Sequence, residues 1–279
     1  MTVIANAKLN LYLDIVGTRA DGYHLLETVM QSVSLSDILD IDILDGEGIE
    51  LCCDRPDIPA DETNLAYKAA RLYLEAAEIR AKIRISIQKR IPSGAGMGGG
   101  SADAAAVLAA LERHFGALGE KRLYAAALSC GADVPFCLKG GTALCGGIGE
   151  EISSLDDIRD CAFLAVMPDF TCPTGEAYRH YDSAPIKAAN GAKRFVESLC
   201  GSYADKMYNV FEALYADERI AEIKKRLIAA GARGAMLTGS GAAVFGVFES
   251  GKAAQEAASL FPQYFTSACK PMDKGIIFV

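Results

Sequence analysis

"PSGAGMGGGSADAA", Pro92 to Ala105, decides how the rest of the chain is read. Five of the seven positions from Gly94 to Gly100 are glycine, and an alanine-rich run follows at once. Glycine lacks the side chain that would keep a ligand off the backbone, and it reaches positive φ without steric cost. A helix starting beyond such a loop offers unpaired N–H groups and partial positive charge. Together these make an anion cradle, most simply for phosphate.

Three rivals are weighed against it. A Walker loop needs a lysine directly after its glycines, and none stands here. The dinucleotide fingerprint G-x-G-x-x-G does match at Gly94, Gly96 and Gly99. However, the helix that follows leads into another helix, not into a second strand ending in an acidic residue. A plain tight turn needs only one or two glycines.

Outward from the loop, "AKIRISIQKRIP" alternates Ile83, Ile85 and Ile87 with polar residues, which predicts a strand stopped by Pro92. A helix is expected from 102 to about 115, with Ser101 as its cap and Asp103 in its first turn. Another runs up to Gly131, ahead of Ala132, Asp133 and a Val-Pro pair. Earlier, "KLNLYL" alternates as a half-buried strand with Lys8 and Asn10 on one face. Asp21-Gly22 marks a turn, residues 25 to 44 read as strand, and one of Asp61, Thr63 or Asn64 caps a helix to about Glu78. Residues 140 to 152 look like a hairpin, and 169 to 202 like loose ground. Helices near 217–230 and 252–260 are expected in the second half, with strands around the "TGSG" loop at 238–241 and two more at the C-terminal end. The reading is an α+β chain in two domains, 1–155 and 156–279, whose last strand is free to return to the first.

Composition narrows the function classes. The chain has 279 residues, 51% hydrophobic and 23% charged, with a net charge of −8. An acidic chain without a basic run is a poor partner for nucleic acid or an anionic membrane. No stretch is apolar enough to span a bilayer. Nine cysteines, an odd number without a C-x-x-C pair, fit reduced thiols better than disulfides or a metal cluster. With no leader-like start, the expectation is a cytoplasmic protein.

"PSGAGMGGGSADAA" resembles the phosphate loop of the GHMP kinases, the family of galactokinase, homoserine kinase and mevalonate kinase. Two further family motifs occur in order, "ANAKLNLYLDI" at the start and "LTGSGAAVFGVF" late in the chain. The resemblance implies an α+β architecture, with a ribosomal-protein-S5-like N-terminal domain, a ferredoxin-like C-terminal domain and the site in the cleft between them. "AKLNLYLDIVGTRADGYHLLETVMQSV" and "GADVPFCLKGGTALCGGIGE" resemble members that phosphorylate a cytidine-diphosphate-linked sugar alcohol. Mevalonate or homoserine kinases, and non-catalytic nucleotide-binding regulators, stay open as alternatives.

The resemblance also implies roles by position. Asp133 accepts the proton of the attacking hydroxyl, and Lys8 lies beside it. Taken alone, Asp133 reads equally as a turn residue, and Lys8 as a lysine on a solvated face. Asn10, Thr174 and Tyr178 face the substrate, while Tyr23 and His24 hold the cytosine by stacking and polar contacts. ATP is implied at Pro92, Ser93, Gly94, Ala95, Gly96, Met97, Gly98, Gly99, Gly100, Ser101 and Ala102, with Asn64, Leu65 and Lys89 lining its adenine and ribose side. A helix cap, a core leucine and a solvated strand end are the plain readings of those last three. Gly239, Ser240 and Gly241 bring the C-terminal half close to the ligands. Magnesium is expected with ATP, with no protein ligand identified.

Overall fold

The computed structural model describes residues 1–184, 186–214 and 217–279; Pro185, inside the stretch read as loose, lies outside them, as do Tyr215 and Ala216. The fold is α+β, as its alternating and helical segments foretold. β1 (Thr2–Thr18) and β2 (His24–Leu44) form a long antiparallel hairpin across the Asp21-Gly22 turn. β3 (Gly48–Cys53), which the sequence reading missed, runs parallel to β4 (Lys82–Gln88) after α1 (Leu65–Ala77) crosses over. Asn64 caps α1, its side chain accepting from the Ala66 N–H.

The glycine loop then leads into α2 (Gly99–Phe115), followed by α3 (Gly119–Cys130), the short α4 (Val134–Lys139) and the hairpin β5 (Thr142–Gly146) with β6 (Glu151–Ser154). The first sheet has the order β12-β1-β2-β4-β3, with β5 also on β2.

The second sheet is antiparallel, in the order β11-β7-β10-β9. It comprises β7 (Ala162–Met167), β9 (Gly234–Leu237), β10 (Val244–Phe248) and β11 (Phe265–Cys269), covered by α7 (Glu218–Ala229) and α8 (Gly251–Ala258). Its core joins Leu164, Val166, Leu227, Val244 and Phe248. The chain between β7 and α7 is more ordered than its composition suggested. It holds α5 (Thr174–Ser183), α6 (Ala192–Ser198) and a two-residue β8 (Tyr208–Asn209) that pairs with β1. The last strand, β12 (Ile276–Phe278), lies on the outer edge of β1.

Two local expectations are corrected. The strand through Lys8 is buried on both faces: Leu9 and Leu11 are fully buried, and Lys8 and Asn10 are only 3% exposed. The glycine loop and Asp133 of the first half, with Thr238 of the second, cover the face that sequence alone left to water. A register shift between Asn10 and Tyr12 re-aims the side chains there. Ser101 is not the cap of α2. The helix starts earlier, at Gly99, with Gly98 as N-cap at φ 71° and no side-chain cap bond. Only a glycine reaches that backbone conformation cheaply, so the helix begins inside the glycine run. Alanines fill α2 because the helix is buried almost all round, against α1 and β1.

Candidate active site

The glycine loop folds back on the first strand of the chain, β1. The Lys8 N–H donates to Met97 O at 3.0 Å, and the Ala243 N–H donates to Ala95 O at 3.2 Å. A Cβ on Gly96 would sit 2.2 Å from Thr238 O, and one on Gly98 would press on the Lys8 stem at 3.0 Å. Both glycines have positive φ. At these two places, glycine is required by the packing of the three motifs against one another as well as by any ligand.

Lys8 Nζ stands 3.3 Å from Asp133 Oδ2. The lysine side chain is 4% exposed and the aspartate 34%, so the ammonium is enclosed while the carboxylate faces the opening. Lys8 also donates to Asn10 Oδ1 at 2.6 Å, and Asn10 donates to Thr28 Oγ1 at 2.9 Å. A buried ammonium needs such partners. Asn10 therefore reaches the cavity wall with its amide already engaged in orienting Lys8. Asp133 occupies the position before α4 and makes no cap bond there, which leaves its carboxylate for Lys8 and the cavity.

The late loop closes the site from the other half. Thr238 Oγ1 accepts from the Asn10 N–H at 3.1 Å and donates to Gly96 O at 3.3 Å. Ser240 Oγ lies 3.1 Å from Thr174 Oγ1, at the first turn of α5. Thr238 was missed in the sequence reading, although it directly precedes the glycines that were chosen.

Three hollows line up along this surface. The first, about 350 Å³, is walled by Asn64, Leu65, Lys89 and the loop from Pro92 to Ser101. The second, about 240 Å³, holds Lys8, Asn10, Thr28 and Tyr178, and shares Gly96, Ser101, Asp133 and Thr174 with the first. The third, about 410 Å³, is lined by Tyr23, His24 and Leu26 and shares Ala132, Ile148 and Tyr178 with the second. Asp133 thus stands on the wall between the first two. Ala102 is fully buried beneath the loop, and the backbone it contributes is a helical bond to Gly98 O. Gly239 is on the second hollow's wall; Gly241 instead packs against Leu237 and Cys172. A larger hollow of about 620 Å³, against Cys161, Tyr203 and Arg233, is lined by none of these residues.

Lys89 is more constrained than a strand-end lysine on a ribose wall. It is buried, and its ammonium donates to Asp37 Oδ2 at 2.5 Å and Asp103 Oδ2 at 2.6 Å. Burial pulls the lysine pKa down, but the two carboxylates outweigh it and hold the lysine charged. Burial, helped by the neighbouring Asp37 carboxylate and opposed by the Lys89 ammonium, pushes Asp103 up to about 7. At the far end, His24 Nε2 lies 2.7 Å from Asp182 Oδ1, and its ring stacks on Tyr178 with centroids 4.8 Å apart. Tyr23 is 60% exposed at the mouth. Burial raises the Tyr178 phenol well above its ordinary range, keeping it neutral.

The arrangement offers a donor-rich phosphate cradle, a carboxylate beside an enclosed ammonium, and an aromatic recess in series. The GHMP kinases N terminal domain matches residues 64–141, and the GHMP kinases C terminal domain matches residues 197–266. A Clostridium tetani protein named 4-diphosphocytidyl-2-C-methyl-D-erythritol kinase is 43% identical over 255 residues, 89% of this chain and 91% of its own. A Clostridium botulinum protein of the same name is 40% identical over 265 residues, 92% of this chain and 94% of its own. A crystal structure of 4-(cytidine 5'-diphospho)-2C-methyl-D-erythritol kinase superposes with a TM-score of 0.83 at 35% identity, covering 97% of this chain and 99% of that one. A homoserine kinase from Cytophaga hutchinsonii shares the fold, at a TM-score of 0.76 and 20% identity. With family domains matched in both halves and relatives spanning nearly its whole length, the chain belongs to the GHMP kinases, in the branch of the 4-diphosphocytidyl-2-C-methyl-D-erythritol kinases.

Proposed function

We propose that this protein transfers the γ-phosphoryl group of ATP to the 2-hydroxyl of 4-diphosphocytidyl-2-C-methyl-D-erythritol, a step of non-mevalonate isoprenoid precursor synthesis. The observation that carries this reading is the shared wall at Asp133. It puts one carboxylate between a glycine-loop hollow and a second hollow that continues into an aromatic recess. A nucleotide, an alcohol and a nucleobase fit that sequence of environments.

In this reading the N–H groups of Gly94–Gly100 and the start of α2 hold the ATP phosphates. Asn64, Leu65 and the Lys89 stem border the adenosine, with Pro92, Ser93, Ala95 and Met97 shaping the loop. The acceptor hydroxyl lies between Asp133 and Lys8. Its oxygen attacks the γ-phosphorus, the bond to the β-bridging oxygen breaks, ADP leaves, and the hydroxyl proton passes to Asp133. In a loose transition state the proton moves late, once the P–O bond to the leaving group is largely broken. Lys8 pairs with the Asp133 carboxylate at 3.3 Å and adds positive charge where the oxygens gather it. Thr174 and Ser240 border the acceptor, and Tyr23, His24 and Tyr178 form the recess for cytosine.

Magnesium fits this site through oxygen donors. Among the described residues no group of three or more His, Cys, Asp or Glu stands ready to hold a metal. A magnesium ion bound mainly by phosphate oxygens and water needs only one or two protein oxygens. Ser101, on the shared wall, would supply one. Bound there, the ion neutralises charge on the β- and γ-phosphates.

The two-domain division at 1–155 and 156–279, with β12 returned to the first sheet, is supported by the two separate sheets, which pack on each other through a shared apolar cluster. Among the described residues Cys52, Cys53, Cys130, Cys137, Cys145, Cys161, Cys200 and Cys269 are free thiols, which favours a reducing cytoplasm. The net charge of −8 favours small-molecule partners over nucleic acid or an anionic membrane.

The test is ADP release by the purified protein with Mg-ATP and a panel of alcohols: the cytidyl compound, mevalonate, homoserine and galactose. Turnover confined to the cytidyl compound is expected. Turnover with another alcohol alone overturns the substrate, and ATP binding without any turnover overturns the kinase reading.

A further inference from the structure

We infer that Asp182 is a specificity-determining positioning residue, fixing the His24 ring so that the recess selects an amino pyrimidine over its oxo counterpart. The inference rests on the cytidyl reading above and adds a residue to it from α5, 158 positions away in sequence.

The geometry starts with the 2.7 Å contact between His24 Nε2 and Asp182 Oδ1. An ionised carboxylate only accepts, so Nε2 must carry the proton in this bond. A neutral imidazole has one N–H, and its other nitrogen then presents a lone pair. Asp182 therefore assigns the tautomer: Nε2 donates to the carboxylate and Nδ1 accepts. The ring cannot easily turn over. One face stacks on Tyr178 at 4.8 Å, its edge meets Tyr181 at 5.6 Å, and the side chain is 10% exposed. With Nε2 engaged, the ring has Nδ1 left to offer the recess that His24 lines with Tyr23 and Leu26.

An acceptor in that place matches a donor on the base. Cytosine carries an exocyclic amino group at C4, where uracil carries a carbonyl oxygen. Cytosine completes a hydrogen bond to Nδ1, whereas uracil sets lone pair against lone pair in a half-closed site. A site built around one hydrogen bond rejects the ligand that lacks it, because its own polar group is then left unpaired. Without Asp182 the neutral imidazole is free to carry its proton on either nitrogen, and the preference is lost.

The test measures equilibrium binding of CDP and UDP at pH 8 to the wild type, Asp182→Asn and Asp182→Glu, with ATP affinity as a fold control. The wild type is expected to bind CDP about tenfold more tightly than UDP. Asp182→Asn is expected to bring that ratio below about threefold, chiefly by weakening CDP, and Asp182→Glu to restore most of it. If Asp182→Asn keeps the full ratio, or weakens both nucleotides equally, Asp182 merely braces α5 and the inference is overturned. If the wild type binds neither nucleotide, the cytidyl reading of the recess fails first and takes this inference with it. That outcome is separate from wild-type discrimination that survives the substitution.

Discussion

At the scale of single residues, the site depends on how Lys8 and Asp133 divide exposure between them. The ammonium is enclosed and held by Asn10, so the charge it lends to Asp133 is little screened by water. Asp133→Asn keeps the side-chain shape but cannot accept the proton. The expected outcome is a kcat lower by about a hundredfold or more with ATP affinity nearly unchanged, checked by steady-state kinetics and direct nucleotide binding. Gly96→Ala tests packing instead. Its Cβ has no room beside Thr238 O, and its φ of 72° penalises any side chain. A loss of about 2 kcal/mol or more in urea unfolding is expected, with a raised KM for ATP. Lys8, Asp133 and Gly96 are legible in the sequence through their motifs. Asp182 is not, because nothing in "RHYD" announces that its carboxylate meets a histidine from the first hairpin. Lys89 and Asn10 are legible as polar residues near the site, but their partners, Asp37 with Asp103 and Lys8 with Thr28, are long-range or cross-strand facts that no local pattern carries.

At the scale of elements, the glycine loop is held at its neck. Lys89 leaves β4 just before the loop and Asp103 sits in α2 just after it, so their ion pair closes the loop across 14 positions. Asp37 of β2 adds the third side, accepting from the N–H groups of Arg90 and Ile91 as well as from Lys89. Such a brace preorganises the loop before any phosphate arrives. It also has a pH signature. Burial raises Asp103 to about 7, against about 4 for an aspartate in an unfolded chain. Between those values the folded protein holds the proton that the unfolded chain has released. Stability therefore falls as pH rises from about 4 to 7 and is flat above that range, as far as this group contributes. Asp103→Asn is expected to remove that slope, measured as urea midpoints across the interval. A slope unchanged by the substitution would place the titration elsewhere. Sequence periodicity located α2 and β4 but not this brace. It also placed the start of α2 three residues late, because a glycine cap works through backbone angle and leaves no side-chain signal. α5 and α6 are hidden in a stretch of polar and small residues, with few buried positions in each short helix to mark a core-facing side.

At the scale of the whole molecule, two sheets that share an apolar cluster are also joined at one hydroxyl that the motif pattern passed over. Thr238 leaves β9 in the second sheet, accepts from the Asn10 N–H of β1 and donates to Gly96 O of the glycine loop. All three motifs that carry the family resemblance thus converge on its side chain. The chain's tail reinforces the same strand from the other edge. β12 pairs with the first residues of β1, and the Asn6 N–H donates to Gly275 O at 2.8 Å. Lys8 lies between these two attachments, so its position depends on both ends of the chain. Thr238→Val keeps the volume and removes the hydroxyl, leaving the buried Asn10 N–H without its acceptor. That loss is expected to cost about 1–3 kcal/mol in urea unfolding. It should also lower kcat, because Asn10 is the group that orients Lys8. Thr238→Ser retains the hydroxyl and should recover most of kcat even where the lost methyl still costs stability. If valine lowers stability while kcat stays at the wild-type value, the joint holds the sheets together without tuning the chemistry. If serine and valine lose kcat alike, the methyl packing matters to the site and the hydroxyl does not.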